Sequence, residues 1–316
     1  MYKNKKICIV VPAHNEETQI LKVIRTIPSY VDEVVVIDDA SDDQTVKVVK
    51  AEMEISKNLH LIGHTANQGV GGAIASGYKW ARDKEMDVTA VMAGDGQMDP
   101  DDLEKIIDPV VVGDADYSKG NRLFFGDAWN LIPHYRYLGN SFLSLMTKIS
   151  SGYWHIADSQ GGYTAISLVA LKRINPDSIY KYYGMPNDLL IKLNQHDFTV
   201  CDVNIKPVYN IGEKSGIRLS KVIPKISWLL FKGFWKRLFF KYVIRDFHPL
   251  VFFYSLSFFL FIVSIPLVFR LLYIWFMKGD IPDMNALALF FTLISGLQTA
   301  FFGMWFDMEY NKKNQR

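Results

Sequence analysis

Two long stretches without a charged side chain limit what this chain can fold into. Residues 249–269 read PLVFFYSLSFFLFIVSIPLVF, with the next charge at Arg270, and residues 285–306 read NALALFFTLISGLQTAFFGMWF. Each matches the ~20 apolar residues of a bilayer-crossing helix. A soluble core hides one such helix rarely, and two in succession more rarely still. Pro266 inside the first run is tolerated in membrane helices. A C-terminal anchor is therefore expected over residues 249–316, with spans at about 249–275 and 285–306.

The flanking charges orient it. Lys232, Lys236, Arg237, Lys241 and Arg245 precede the first run, and Lys312, Lys313 and Arg316 follow the second. The loop between them has Arg270 and Lys278, offset by Asp280 and Asp283. The positive-inside rule puts both ends in the cytoplasm and a short loop outside. The lysines at the N-terminus precede an apolar run too short for a signal-peptide core, so the soluble part is expected to stay in the cytoplasm. Cys8 and Cys201 are too few for a disulfide framework and fit a reducing compartment. A net charge of +2 gives no reason to expect a nucleic-acid partner.

Residues 221–248 interleave Trp228, Leu229, Phe231, Phe234, Trp235, Phe239 and Phe240 with Lys232, Lys236, Arg237 and Lys241. Aromatic and basic residues mixed in this way predict an interfacial amphipathic segment, which would hold the preceding domain at headgroup level. Simple anchoring explains it equally well.

Residues 1–220 alternate β-branched runs with helical spacing. Strands are expected at Ile7–Val11, Glu33–Asp39, Leu59–His64 and Val88–Gly94, with helices at Glu17–Ile27, Gln44–Met53 and Val70–Arg82. Uniformly apolar strands in βαβα order predict a mostly parallel sheet covered on both faces, an α/β fold. Such sheets bind ligands beyond the carboxyl ends of their strands. PAHNEE, DDASDD, NQGVGG and GDGQMD follow the four strands in turn, so they share one crevice. Each alone is also ordinary turn and cap composition.

The crevice is acidic at Glu16, Asp38, Asp39 and Asp95. Carboxylates there can accept from a base or ribose, or hold Mg²⁺ or Mn²⁺ against a diphosphate. NQGVGG lacks the lysine and serine of a phosphate loop. Its glycines suit close backbone approach to a base, or simply a helix start.

The order VVPAHNEE, VIDDASDD, NQGVGGAIASG, GDGQMDP and KGNR resembles glycosyltransferase family 2, and within it the polyprenyl-phosphate sugar transferases typified by dolichol-phosphate mannosyltransferase. The resemblance covers most of residues 5–220. It implies a GT-A fold, Rossmann-like with a mostly parallel sheet, over residues 1–220, and inverting transfer of a hexose from a UDP- or GDP-sugar to a polyprenyl phosphate. Pro12, Ala13, Asn15 and Glu16 would line base and ribose, Asp38 or Asp39 would contact the base, and Asn67, Gly69 and Gly94 would complete the nucleotide site. Asp95 and Gln97 match the metal-binding motif of the family, whereas Ala93 replaces its first acid. Arg122 and Arg136 match phosphate-binding arginines, and Lys214 and Arg218 match a basic loop over the product phosphates. Asp158 matches an acid near the reacting centre, which would orient the acceptor or stabilise charge on the sugar.

The bland readings are surface arginines at 122 and 136, a helix cap at Asp158 and solvated loop charges at Lys214 and Arg218. A transferase with a saccharide acceptor and a nucleotide-sugar-binding pseudoenzyme or membrane adaptor are the alternatives. The first lacks support from the Gln-x-x-Arg-Trp motif of processive synthases, which this chain does not contain. A homo-oligomer is compatible with the sequence.

Overall fold

The apolar runs form a seven-stranded sheet: β1 (Ile7–Ala13), β2 (Glu33–Asp38), β3 (Leu59–Gly63), β4 (Val88–Val91), β5 (Tyr117–Asn121), β6 (Thr164–Ser167) and β7 (Val200–Asn204). This computed structural model describes residues 1–124, 126, 129, 132–208 and 219–315, with backbone alone at 135, 136 and 219–221. Its contacts divide the chain into a unit of Met1–Phe234 with Lys313–Arg316 and a unit of Trp235–Lys312.

The strand order is β3-β2-β1-β4-β6-β5-β7. Only β6 runs against its neighbours β4 and β5; the pairs β1–β2, β1–β4, β2–β3 and β5–β7 are parallel. The ends of β1 to β5 and β7 therefore lie on one edge, together with the start of β6. Beyond Val91 the chain still follows β1, with Met92 N–H donating to Val10 (3.0 Å) and Gly94 N–H to Pro12 (3.1 Å). This extends the expected fourth strand in fact if not in ladder.

Alternate strand residues feed two cores. Cys8, Val10, Val35 and Ile37 meet α3 (Val70–Asp83) and α7 (Met185–Gln195) on one face. Ile7, Ile9, Val11, Val34 and Val36 meet α1 (Ile20–Thr26), α2 (Thr45–Met53) and α4 (Leu103–Val111) on the other. Helix α3 lies so close to β1 that a Cβ at Gly77 would stand 2.2 Å from Val10 Cγ1. Also described are helices α5 (His134–Ser151), α6 (Leu168–Arg173) and α8 (Leu219–Phe239), and α8 continues into a π-helical turn, Phe240–Arg245. Both cysteines are buried thiols.

In the second unit, α9 (Leu250–Lys278) and α10 (Asp283–Asn311) are each long and apolar enough to cross a membrane. At 1.5 Å per residue, 29 residues span roughly 43 Å, more than the hydrocarbon core requires. Small residues bring them together: Gly296 lies against Leu260 and Phe261, Gly303 against Tyr254, and Ser257 Oγ donates to the Gly296 carbonyl at 2.8 Å.

One part of the interfacial expectation changes here. Arg237 and Lys241 are fully buried rather than facing headgroups. Arg237 forms two 2.8 Å bonds with Asp307, Tyr242 donates to the same carboxylate at 2.6 Å, and Lys241 donates to Asn311 at 2.8 Å. A buried guanidinium needs such a partner, and the sequence offers no local sign that Asp307, 70 residues away, supplies it.

Candidate active site

The first two polar clusters are stitched into one corner. Asn15 adopts φ 59° and its backbone N–H donates to Ser41 Oγ (2.9 Å), while its side-chain oxygen accepts from Asp42 N–H (2.8 Å). Glu16 N–H donates to Thr45 Oγ1 and Glu17 N–H to Asp43. These bonds hold Asn15–Glu17 in a turn, so the first helix starts at Ile20 and not at Glu17. Asn15 was assigned to the nucleotide; its side-chain oxygen is engaged by the protein.

The two aspartates after β2, interchangeable by sequence, have different surroundings. Asp39 accepts from His64 Nδ1 (2.7 Å) and from the backbone N–H groups of Gln68 (2.8 Å) and Gly69 (2.7 Å). It pins the third cluster to the sheet, where Asn67 Oδ1 also accepts from Gly69 N–H (3.0 Å). Asp38, beside Ala13 in the ladder, accepts from Ser41 N–H at 3.3 Å, and its buried Oδ1 has no hydrogen-bond partner among the described residues. A buried carboxylate oxygen without a donor is costly, which makes Asp38 the better candidate for an incoming N–H or O–H.

The glycines of NQGVGG serve the protein's own packing. A Cβ at Gly69 would meet the Lys181 carbonyl at 2.5 Å and the Tyr182 ring at 2.8 Å; one at Gly71 would meet the Tyr180 carbonyl at 2.1 Å. Gly72 N–H donates to the Lys181 carbonyl. Residues 180–182 thus occupy the close approach expected for a base at Gly69. Gly94 is confined likewise, with Ile20, Pro12 and Ala13 within 3.4 Å of its missing Cβ.

In GDGQMD, Asp95 Oδ1 accepts from Gln97 N–H at 3.0 Å, a tight turn that leaves Ala93 donating to Met98 Sδ. The turn packs on the loop before β6, where Tyr163 donates to the Asp99 carbonyl (3.0 Å). Burial first, then the charges of Asp95 and Asp43, push the Glu16 carboxyl up to about 7. Glu16 and Asp95 are therefore close enough for the charge of one to act on the other. Among the described residues no three His, Cys, Asp or Glu side chains converge on one point. Asp95 and Gln97, the expected holders of Mg²⁺ or Mn²⁺, would therefore not cage such an ion alone, because these ions take about six oxygen ligands.

Arg122 and Asp158, given separate roles by sequence, are one pair. Arg122 Nε donates to Asp158 Oδ2 at 2.7 Å and Nη2 to Oδ1 at 3.3 Å; Gln160 and Gly161 N–H groups donate to Oδ1 at 3.1 Å. Burial raises the Asp158 carboxyl, but the Arg122 charge and hydrogen bonds, with the Lys119 charge, hold it below the usual range. Asp158 is 0% exposed and the Arg122 side chain 24%. Among the described residues Asp158 therefore meets Arg122 and backbone N–H groups. Arg136 lies in the first turn of α5, described by backbone alone; Lys214 and Arg218 fall outside the described residues. Sequence reasoning passed over Lys119 and Asp202, both close to this pair. Lys119 opens the quoted KGNR, but nothing near Asp202 marks it.

A mostly parallel α/β sheet with one antiparallel strand and its four polar clusters on one edge is compatible with the GT-A class of transferases. Residues 8–174 match the glycosyl transferase family 2 model, and the chain belongs to that family. It is 31% identical over 220 residues to a UDP-N-acetylglucosamine–dolichyl-phosphate N-acetylglucosaminyltransferase of Methanococcus voltae, covering 65% of this chain and 87% of that one. It is 27% identical over 190 residues to an undecaprenyl-phosphate mannosyltransferase of Micrococcus luteus, covering 59% and 77%. Glucosyl-3-phosphoglycerate synthase of Mycobacterium tuberculosis has the same fold: its complex with Mg²⁺ and UDP gives a TM-score of 0.55 at 17% identity, covering 74% and 79%.

Proposed function

We propose that this glycosyltransferase moves a hexose from a nucleoside-diphosphate sugar, UDP- or GDP-linked, to a polyprenyl phosphate at the cytoplasmic face of a membrane. The observation that carries the reading is that the Glu16/Asp95 acid pair lies on the sheet edge that also holds Arg122 and a buried Asp38 oxygen with no hydrogen-bond partner among the described residues. The relatives' names, dolichyl-phosphate and undecaprenyl-phosphate sugar transferases, support the acceptor.

Asp38 would receive a base N–H or ribose O–H, with Pro12 and Ala13 as the adjoining apolar wall. Asp95 and Gln97 would hold Mg²⁺ or Mn²⁺, which when bound supplies positive charge to the diphosphate leaving group. Arg122, held by Asp158, adds a fixed cation on the same side; Arg136, Lys214 and Arg218 remain candidates for the same task. The acceptor phosphate has a second pKa of about 6, so it attacks as an anion at neutral pH without a strong general base. A single in-line displacement inverts the anomeric centre.

The membrane arrangement fits a lipid acceptor. Leu138, Phe142 and Leu145 form an exposed stripe on α5, and Ile223, Trp228 and Phe231 are exposed on α8 of the same unit. Their spacing gives two apolar faces suited to the headgroup boundary. The two spans would enter from the cytoplasm and return to it.

Purified full-length protein in detergent, given UDP-N-acetylglucosamine, UDP-glucose and GDP-mannose with undecaprenyl phosphate, is expected to form a lipid-linked sugar that excess chelator suppresses. Transfer to a saccharide acceptor with no lipid product from any donor would replace this reading with the polysaccharide one.

A further inference from the structure

The Asp158 loop is held at both ends by a pair of side chains that no part of the proposed chemistry uses. Lys119 of β5 and Asp202 of β7 stand opposite each other in the parallel ladder, and Asn121 lies two residues on along the same strand face. Lys119 is fully buried, and its Nζ donates to the Gly161 carbonyl. Asp202 Oδ2 accepts from the Ala157 N–H at 2.6 Å and from Asn121 Nδ2 at 3.1 Å. One member thus grips the backbone just before Asp158, and the other grips it three residues after. Gly161 has no room to shift: a Cβ there would stand 2.6 Å from the Gly120 carbonyl. Asp158, between the two grips, takes both nitrogens of Arg122.

We propose that the Lys119–Asp202 couple is a positioning device that fixes the Asp158 loop, and through it presents Arg122 to the phosphates of the bound substrates. This deepens the proposed function and rests on Arg122 meeting phosphate there. The middle of the loop is tied separately to α5, where the Ser159 N–H donates to Ser144 Oγ at 3.0 Å; the couple holds the two ends, Ala157 and Gly161, that flank Asp158 and its contacts with Arg122.

The cradle also carries a pH limit. Burial, opposed by the charges of Asp158 and Asp202 and reinforced by that of Arg122, lowers Lys119 to about 8. Burial raises Asp202 to about 6, with the Ala157 N–H and Lys119 opposing; Lys148 of α5 also acts on it. Both grips are charged between these values. As pH rises through Lys119's value, its bond to Gly161 loses the charge that strengthens it. The acid limb is shared with Glu16 and with the ligand's own phosphate, so the alkaline limb is the diagnostic one.

The test uses full-length protein in detergent with Mg²⁺, titrated calorimetrically with UDP and with GDP between about pH 7 and 9.5, a range that brackets the alkaline limb. Hydrogen exchange of residues 157–163 is read on the same samples. Wild-type affinity for the bound nucleotide is expected to fall about tenfold across that range, the worth of one charge-assisted hydrogen bond. Lys119→Met should bind about tenfold more weakly at pH 7 and show no alkaline limb. Its exchange should rise in 157–163 and not across the remaining sheet. Lys119→Gln, which keeps an N–H donor without the charge, should also lose the limb but recover part of the affinity. In an Arg122→Met background, Lys119→Met should change affinity no further. Lys119→Met with wild-type affinity and limb, an equal loss in the Arg122→Met background, or unchanged local exchange overturns the proposal. If wild type binds neither nucleotide, the proposed function fails, and the exchange measurement still decides whether the cradle exists.

Discussion

Replacing Asp158 by Asn tests whether this acid works on substrate or on Arg122. The substitution keeps the shape and removes the charge. It also turns one acceptor oxygen into a donor in a site where the described partners donate: Arg122 Nε, Nη2 and backbone N–H, Gln160 N–H and Gly161 N–H. Removing one partner of a buried ion pair costs about 3–5 kcal/mol. Arg122 retains 24% exposure and water can reach it, which sets the expectation near the lower end, about 3 kcal/mol. At roughly 2–4 °C per kcal/mol for a unit of this size, the melting temperature should fall by about 6–12 °C. The deciding assay is a double-mutant cycle with Arg122→Met, read by melting and by sugar transfer in the full-length protein. With Arg122 already gone, the carboxylate is a buried charge lacking its main partner, so Asp158→Asn should then be neutral or stabilising and cost no further activity. Strictly additive losses of stability, or a second large loss of turnover in the Arg122→Met background, would refute the pairing and return Asp158 to direct contact with substrate.

Three further outcomes follow from the geometry. Gly71→Ala should destabilise by about 1–3 kcal/mol, the usual cost of overpacking, because its Cβ would stand 2.1 Å from the Tyr180 carbonyl; an unchanged melting temperature would contradict the tight seat of residues 180–182. Glu16 has a folded value of about 7 against a usual 4.5, so its contribution to stability is present below the unfolded value and lost as pH rises through the folded one. Glu16→Gln should therefore melt higher than wild type at pH 8 and alongside it near pH 4.5, and equal melting at pH 8 counts against the acid pair. Arg237→Met should cost about 3–5 kcal/mol by stranding Asp307, and adding Asp307→Asn should restore most of it; a double variant as unstable as the single would deny the buried bridge.

The sequence alone was enough for the first four strands and their polar edge, whereas β5, β6 and β7, with β6 antiparallel, came only from the structure. Uniformly apolar strands report burial on two faces, and βαβα order predicts parallel strands whose carboxyl ends share a side, where the four clusters fall. The uncharged runs at 249–269 and 285–306 were equally legible, because a helix that long and apolar has few other places to go. Only the tertiary structure decided which side chains meet. Asp38 and Asp39 are identical in sequence terms, yet Asp39 binds His64 and two backbone N–H groups while Asp38 keeps an oxygen without a partner among the described residues. The glycines after β3 suit a ligand or a neighbouring loop equally well until residues 180–182 are seen against them. Arg122 with Asp158, Lys119 opposite Asp202, and Arg237 with Asp307 join positions 36 to 83 residues apart. Periodicity reports which face of an element is buried, but the identity of a buried charge's partner is set by strand order and register, which no local pattern carries.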